Sequence, residues 1–272
     1  GLALASVEFA FDVPVGIMVE TPAAAVLVDV LAEASDFFSL GTNDLIQYTL
    51  AVDRGNVNLA NRFTALHPAV LRLIRRIVDV ADAHLLSISS KGELALIVNA
   101  RYLQQRLYAG TLARMTLGSS PRAVLDGVRE ADWGPDGETL AIVHDLRNGR
   151  DRLEYPVGTA LHEASGYLSD PRVSPDGSLV AFFEHQWRWD DRGWVKVVDR
   201  GGKVTTLTGE LFGLQGLAWT PDGSTILFSG NTAGGSVLQP MSVAASGGAP
   251  AQPVFGVPGR FIVHDVARDG RW

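Results

Sequence analysis

Two carboxylates follow the ends of two successive predicted strands. The apolar run at residues 13–19 predicts a strand buried on both faces, and Glu20 follows it directly. Residues 37–40 predict the next strand, and the loop after it ends in Asp44. Carboxylate oxygens suit Mg²⁺, which commonly takes one or two of them together with a substrate phosphate. The pattern therefore indicates a magnesium site suited to phosphoryl transfer, with Arg54 as a bidentate fork for the phosphate.

Helices are predicted after each of these strands. Thr21 and Pro22 form an N-cap with proline at the first helical position, before a helix-forming run at residues 23–34. Residues 45–50 enter a second helix, and His67 with Pro68 opens a third. The third helix carries an apolar stripe of Val70, Leu71, Ile74, Ile77, Val78 and Ala81, opposite Arg72, Arg75, Arg76 and Asp79. Such alternation predicts part of a barrel wall, with polar residues at the carboxyl ends of the strands.

The motifs of this first part resemble those of one enzyme family. They are Gly16-Ile17-Met18-Val19-Glu20-Thr21-Pro22, Gly41-Thr42-Asn43-Asp44 and Asp53-Arg54-Gly55-Asn56. Residues 1–82 thereby resemble the phosphoenolpyruvate-binding barrel of enzyme I of the sugar phosphotransferase system, one of the PEP-utilising enzymes. The resemblance implies Mg²⁺ bound by Glu20 and Asp44, phosphoenolpyruvate contacted by Asn43 and Arg54, and phosphoryl transfer to a protein histidine.

The resemblance does not extend to catalytic residues. The family uses a separate phosphohistidine domain and a Gly-Met-Cys-Gly-Glu motif on its next strand, whereas this chain contains no cysteine. Residues 91–95, Lys-Gly-Glu-Leu-Ala, are superficially similar to that motif, but we interpret them as part of the repeat described next, which places the junction near Ala83. We therefore expect a fragment of a phosphotransferase that is inactive alone.

The rest of the chain contains an internal repeat. The turn glycines Gly92, Gly137, Gly177, Gly223 and Gly270 are spaced by 45, 40, 46 and 47 residues, near the period of a four-stranded blade. Three of the turns read Trp-Gly-Pro-Asp-Gly, Val-Ser-Pro-Asp-Gly and Trp-Thr-Pro-Asp-Gly, and an apolar strand follows each. These motifs resemble TolB-like propellers and the propellers appended to some bacterial serine/threonine kinases.

The residues of each turn have structural explanations. Proline sets φ at the first turn position, aspartate bonds the local backbone, and glycine accepts the left-handed conformation. We therefore interpret Asp136, Asp176 and Asp222 as turn-formers, and Trp133 and Trp219 as packing residues. The predicted fold class is mixed: a partial (β/α)8 TIM-barrel fragment at residues 1–83, followed by an all-β partial propeller of about four blades at residues 84–272.

The composition of the chain limits the ligands and the cellular compartment that we expect for it. The formal charge is -7 and the only lysines are Lys91, Lys196 and Lys203, which argues against nucleic acid. Apolar runs stay short of the roughly 18 residues that span a bilayer, so we expect no membrane segment. The absence of cysteine fits a reducing compartment, and we expect a cytoplasmic protein. The six histidines show no metal-ligand spacing. Residues 187–192 are interpreted as a strand-connecting hairpin with solvated charges rather than as an interaction loop.

Three hypotheses of different classes remain open. The first is the incomplete phosphoenolpyruvate-dependent phosphotransferase. The second is a binding module, in which the propeller loops present a surface to a protein partner or a small ligand. The third is an artificial or misassembled join of two unrelated segments, because residues 83–84 carry an abrupt change of pattern without a Pro/Gly/Ser-rich linker.

Overall fold

The chain divides into two compact units. A computed structural model describes residues 15–267, apart from residues 36, 54, 57, 60, 61, 63, 81, 82, 105, 106, 117, 118, 189, 233–236 and 258. The first unit takes in residues 1–83 and 116–120, and the second takes in residues 84–115 and 121–272. 

The first unit alternates strands and helices. Its elements are β1 (Gly16–Val19), α1 (Pro22–Val26), α2 (Val28–Ala32), β2 (Phe37–Leu40), α3 (Thr42–Leu50) and α4 (Pro68–Val80). The two strands pair in parallel, with Val19 opposite Leu40. Thr21 caps α1 as predicted, because its hydroxyl accepts a hydrogen bond from the Ala24 amide at 3.2 Å. The predicted helix over residues 23–34 is two short helices, since Leu27 at φ −95° and ψ 16° interrupts it.

Helix α4 supplies most of the apolar surface of this unit. Four members of its predicted stripe, Val70, Ile74, Ile77 and Val78, are at most 5% exposed. Leu71 is half-buried, and Ala81 lies outside the described residues. The helix packs against α1, α2 and α3. Its opposite side carries Arg76, which donates to the Val26 carbonyl and to the Asp29 carboxylate at 3.2 Å. The 3.6-residue periodicity therefore predicted the buried side of α4 correctly.

The second unit is built of antiparallel sheets. Its strands are β3 (Ala83–Ile88), β4 (Glu93–Gln104), β5 (Leu107–Thr116), β6 (Arg122–Trp133), β7 (Leu140–Asp145), β8 (Asp151–Glu154), β9 (Ala160–Ala164), β10 (Tyr167–Val173), β11 (Leu179–His185), β12 (Gly193–Asp199), β13 (Val204–Thr206), β14 (Gly213–Trp219), β15 (Thr225–Asn231), β16 (Gln239–Ala244) and β17 (Gln252–Pro253). β10–β13 and β14–β17 each form a four-stranded sheet, and β3–β9 form one sheet of seven.

The seven-stranded sheet contains two blades that share β6. The first half of β6 pairs with β5, with Leu125 opposite Leu112 and Ala123 opposite Ala113. Its second half pairs with β7, with Trp133 opposite Leu140. A bulge near residue 128 separates the two halves, as expected where a strand bends away from one partner toward another. β3, β4, β5 and the first half of β6 therefore make one blade, and β6 to β9 make the next.

Gly92, Gly137, Gly177 and Gly223 adopt the predicted left-handed conformation, whereas Gly270 lies outside the described residues. In the turn at residues 174–177, the Gly177 amide donates to the Ser174 carbonyl at 2.8 Å, and Gly177 has φ +75°. The Asp176 carboxylate accepts from the Ser174 hydroxyl and from the Ser178 amide. Asp222 accepts equivalent bonds in its own turn. These contacts confirm the aspartates as turn-formers.

The apolar core of the second unit lies in layers between successive blades. Along β11, Val180 and Phe182 belong to the layer shared with β7 to β9, whereas Ala181 and Phe183 belong to the layer shared with β14 to β16. This two-residue alternation is expected of a strand buried on both faces. A third layer joins Ala95 and Leu112 to residues of β6 and β7. The sheets are therefore stacked face to face, as in a propeller.

Candidate functional sites

Glu20 lies against the start of α3. The pairing of β1 and β2 continues one residue further, where the Gly41 amide donates to the Val19 carbonyl at 3.1 Å. A Cβ atom added to Gly41 would lie 2.5 Å from the Glu20 Cβ and 2.9 Å from its Oε2 atom. Only glycine fits at position 41, because the Glu20 side chain occupies the space of a larger residue. Gly41 is the N-cap of α3, so the carboxylate lies at the positive end of this helix.

Asn43 and Asp44 occupy the first turn of the same helix. Asp44 is half-buried and Asn43 is exposed. The structure therefore places Glu20, Asn43 and Asp44 at one edge of the unit, next to the carboxyl ends of both strands. Arg54, the predicted phosphate contact, lies outside the described residues.

The donor set at this edge is made of carboxylates. Among the described residues, no group of three or more His, Cys, Asp or Glu side chains is arranged to hold a metal ion. Glu20 and Asp44 alone are nevertheless compatible with Mg²⁺, because this ion usually keeps several waters and takes only one or two protein carboxylates. The residues present therefore fit the ion that the sequence predicted.

Comparison with known proteins concerns mainly the first unit. Residues 2–102 match the family model described as PEP-utilising enzyme, PEP-binding domain. A multiphosphoryl transfer protein of Xanthomonas campestris is 59% identical over 73 residues, which are 27% of this chain and 9% of that protein. The phosphoenolpyruvate-protein phosphotransferase of Haemophilus influenzae is 51% identical over 84 residues, 31% of this chain and 15% of that protein.

The first segment resembles the PEP-binding domain of PEP-utilising enzymes. The chain spans only 9% to 16% of the length of the curated relatives it matches. The matched range also runs past Asp82 and includes residues 91–95. In the structure these residues belong to the hairpin of β3 and β4, where the Gly92 amide donates to the Ser89 carbonyl at 2.9 Å and Glu93 binds Arg114.

The second segment resembles TolB-like propellers in its fold. A putative TolB from Agrobacterium tumefaciens superimposes with a TM-score of 0.52 at 18% identity, covering 70% of this chain and 71% of that one. The likeness at this identity concerns the fold alone. Among the described residues, no helix has the length and apolarity needed to cross a membrane.

Charged residues on β6 and β10 link the blades that begin with these strands to the blade that follows each of them. The Asp170 amide donates to the Glu130 carboxylate at 2.5 Å, and the Val173 amide donates to the Asp132 carboxylate at 2.9 Å. One blade further, the Gly216 amide donates to the Asp170 carboxylate at 3.1 Å. Burial and the nearby Asp170 carboxylate raise the pKa of Glu130 to about 7. Burial likewise raises the pKa of Asp132 and of Asp170.

The tryptophans that precede the turns also connect neighbouring blades. Trp133 and Trp219 are each 6% exposed. The Trp133 indole donates to the Ser87 carbonyl at 3.3 Å, and the Trp219 indole donates to the Arg172 carbonyl at 2.9 Å. The two tryptophans are therefore packing residues, as predicted, and they also bridge to the preceding blade, because both acceptors belong to it.

A buried ion network joins β6, β8, β10 and the loop after β11. Asp151 is fully buried and pairs with Arg129, which is itself 1% exposed. Asp151 also accepts from the Leu168 amide at 3.0 Å and from Arg188 at 2.9 Å. Burial raises the pKa of Asp151, against the effect of both arginines. The prediction of solvated charges at residues 187–192 is therefore wrong for Arg188, although the segment does connect two strands.

The residues that connect neighbouring blades were not predicted from the sequence, although the sequence contains a pattern that marks them. Glu130 and Asp170 stand three positions before the residue that opens their turn motif, and Asp132 and Arg172 stand one position before it. Charged residues at alternate positions of an otherwise apolar strand indicate that one face of the strand is polar. They do not reveal which backbone amide each carboxylate meets, because that depends on how the next blade is placed.

Proposed function

We propose that residues 1–82 are a fragment of a PEP-dependent phosphotransferase that keeps part of its site for a divalent cation and phosphoenolpyruvate. Glu20 and Asp44 bind Mg²⁺ in this proposal, while Asn43 and Arg54 contact the substrate. The strand–helix units are one part of a (β/α)8 barrel wall. The observation that carries the proposal is the contact of Glu20 with Gly41, at the helix turn that holds Asn43 and Asp44.

The side chains have distinct roles in this proposal. Glu20 and Asp44 supply anionic oxygens from two adjacent strand ends, so a cation between them is held at the carboxyl edge of the sheet. The cation offsets negative charge on the phosphate when bound. The Asn43 amide, exposed in the first turn of α3, donates toward the phosphate or carboxylate of the substrate. Arg54 adds a bidentate contact that fixes the orientation of the phosphate.

Binding and phosphoryl transfer are separate expectations. Transfer also requires an acceptor histidine and a proton donor for the enolate, each within hydrogen-bond distance of the reacting atoms. The chain contains no cysteine to match the family's proton donor. We therefore propose that this site binds its ligands without completing phosphoryl transfer. The interaction-module hypothesis for residues 84–272 stays a prediction.

Metal binding by the intact chain tests this proposal. Mn²⁺ replaces Mg²⁺ as a paramagnetic probe, and its binding is titrated through the relaxation of water protons. We expect a dissociation constant on the order of 1 mM, because two carboxylates leave most of the coordination sphere to water. Glu20→Gln and Asp44→Asn each remove one charge at nearly constant shape, so each weakens binding at least about fivefold.

A matched variant separates this site from general acidity. Glu33 is an exposed carboxylate at the end of α2 in the same unit, and Glu33→Gln leaves the Mn²⁺ affinity unchanged. Phosphoenolpyruvate added to the Mn²⁺ complex further changes the water relaxation, because the substrate displaces bound water. Binding that is equally strong in all three variants contradicts the proposal.

A further inference from the structure

The third blade, β10–β13, contains a cavity at its boundary with the second blade, β6–β9. At this point the packing between the two blades changes from apolar to polar. On this face of β11 and β12, Phe182 and Val198 belong to the apolar layer shared with the second blade. Two residues along the strands, Glu184 and Trp194 stand opposite each other, and Lys196 stands opposite Phe182. Apolar side chains would continue the layer here. Charged and aromatic side chains instead line a cavity of about 310 Å³.

The other face of the same strands shows what uninterrupted packing looks like. Ala181, Phe183, Val195 and Val197 alternate with the residues above and all belong to one apolar layer with the fourth blade. The next residue on this other face of β11, His185, is polar but only 1% exposed, and its ring meets the Ser169 hydroxyl at 3.0 Å. The two faces therefore differ in exposure, because His185 is enclosed whereas Glu184 and Lys196 remain partly exposed at the cavity.

A carboxylate and an ammonium group form the polar wall of the cavity. Glu184 accepts from Lys196 at 2.9 Å and from the His162 ring at 2.6 Å. The side chains of Glu184 and Lys196 are 20% and 15% exposed, so both reach the opening. A carboxylate accepts about four hydrogen bonds and an ammonium donates three. The contacts found among the described residues leave part of this capacity free for a ligand.

The same pair disfavours charged ligands. The positive charge of Lys196 and the negative charge of Glu184 compensate each other at 2.9 Å. An anion that binds the lysine meets the carboxylate, and a cation that binds the carboxylate meets the lysine. A hydroxyl group, by contrast, accepts from an ammonium and donates to a carboxylate at once, so a neutral ligand rich in hydroxyl groups satisfies both.

An aromatic ring adjoins this polar pair. Trp194 lines the cavity, is half-buried, and its ring centroid lies 5.6 Å from Lys196 Nζ. The exposed side chains of Ser165, Gln186 and Thr206 add hydroxyl and amide groups around the opening. Aromatic surface next to hydrogen-bonding groups of both kinds matches a molecule with an apolar C–H face and hydroxyl groups at its edge.

The corresponding position in the second blade holds a more deeply buried carboxylate. There His144 meets Glu154 at 3.0 Å, and the Gly158 amide also donates to Glu154 at 2.7 Å. The Glu154 side chain is only 4% exposed, and Arg152 stands where the third blade has Trp194. A polar pair at this position therefore need not expose its carboxylate. The exposed carboxylate and the tryptophan distinguish the third blade.

From these observations we propose that the cavity lined by Glu184, Trp194 and Lys196 binds one neutral, polyhydroxylated ring, such as a monosaccharide or a cyclic polyol. Its volume of about 310 Å³ is near the lower limit of small-molecule sites, which suits a single ring. The ring stacks on Trp194, and one of its hydroxyl groups bridges Lys196 and Glu184.

Saturation-transfer NMR on the full chain tests this proposal. The probes are D-glucose, D-galactose, N-acetyl-D-glucosamine and myo-inositol, each titrated separately. We expect transfer to the ring protons of at least one probe, with a dissociation constant on the order of 1 mM. Trp194→Ala and Glu184→Gln weaken binding at least about fivefold, because each removes one of the two recognition elements.

Matched variants distinguish the cavity from adventitious binding. Trp187 is 61% exposed in the loop after β11, so Trp187→Ala leaves the affinity unchanged. Glu210→Gln, at another exposed carboxylate of this unit, does the same. Trp194→Phe keeps an aromatic face and retains most of the affinity, which guards against a folding defect in Trp194→Ala. Transfer absent for all four probes, or equal in Trp194→Ala and the intact chain, overturns the proposal.

Discussion

Glu130 is a carboxyl group that titrates near neutral pH in the folded chain. It is 25% exposed, accepts from the Asp170 amide, and has a pKa of about 7 because burial and the Asp170 carboxylate disfavour its ionised form. An unfolded glutamate titrates near pH 4.5. The folded state therefore binds the proton more tightly, and its stability falls as the pH rises from about 5 to about 7.

This linkage is measurable with the intrinsic fluorescence of the propeller. All six tryptophans lie beyond residue 130, so urea unfolding followed by tryptophan emission reports the second unit. We expect the free energy of unfolding to fall by up to about 1.4 kcal/mol per pH unit in this window. Glu130→Gln keeps an acceptor for the Asp170 amide and reduces the slope, whereas Glu210→Gln preserves it. An unchanged slope in Glu130→Gln contradicts this assignment.

Loss of the Asp151 side chain should strongly lower the free energy of unfolding of the propeller. Its removal leaves Arg129, 1% exposed, without its carboxylate and deprives the Leu168 amide of an acceptor. Breaking a buried ion pair in this way typically costs about 3–5 kcal/mol. We expect Asp151→Ala to lower the free energy of unfolding by that amount in the same fluorescence assay.

An exposed pair of the same chemistry provides the control. Asp126 and Arg147 also form a carboxylate–guanidinium pair, but their side chains are 62% and 59% exposed. Solvent screens such pairs, so Asp126→Ala costs about 0–1 kcal/mol. Equal losses in Asp151→Ala and Asp126→Ala would show that the buried network contributes no more than surface charge.

The hairpin turns are the elements whose conformation depends most on residues close together in the sequence. Asp176 binds the Ser174 hydroxyl and the Ser178 amide and hydroxyl, and these hydrogen bonds lower its pKa to about 2. Asp176→Ala removes all of them from an exposed turn, with an expected loss of about 1–2 kcal/mol. Since its pKa is depressed, this contribution is lost as the pH falls from about 4 toward 2.

Unfolding at two pH values checks that expectation. The difference in unfolding free energy between Asp176→Ala and the intact chain is measured at pH 7 and again at pH 2.5. It shrinks at the lower pH if the ionised carboxylate is what stabilises the turn. A difference that is the same at both values assigns the effect to the backbone conformation of the turn.

How far an element can be predicted depends on where its determinants lie. The turns, the Thr21 cap and the buried stripe of α4 each depend on residues within a few positions of each other, and all are predicted correctly. The sharing of β6 between two blades depends on pairing with β5 and β7 together. Nothing in the local pattern of β6 marks the point where its partner changes.

The same distinction applies to the candidate sites. Glu20, Asn43 and Asp44 follow strand ends, so the parallel pairing of β1 and β2 brings them to one edge, as the sequence indicates. Glu184, Trp194 and Lys196 lie on two strands with no motif between them. Their proximity follows from antiparallel register and from the packing of neighbouring blades, neither of which can be read from local sequence.

The chain consists of two compact units that differ in architecture. Within the described part of the chain, the helices of eight or more residues are α3 and α4 in the first unit, and the tryptophans belong to the second unit. Circular dichroism at 222 nm therefore reports mainly the first unit, and tryptophan emission reports the second. The assignment of residues 1–83 and 84–272 as separate domains stays a prediction that these two signals can test.

We expect the two units to unfold independently. Ile74 is fully buried in α4, and Ile74→Ala leaves a cavity that costs about 2–5 kcal/mol in the first unit. The midpoint at 222 nm should fall while the midpoint of tryptophan emission stays unchanged. Phe228, fully buried between the third and fourth blades, is the converse variant, since Phe228→Ala lowers the emission midpoint and leaves the helical signal unaffected. A parallel shift of both midpoints in Ile74→Ala would show one cooperative unit, because independent domains do not share the cost of a cavity.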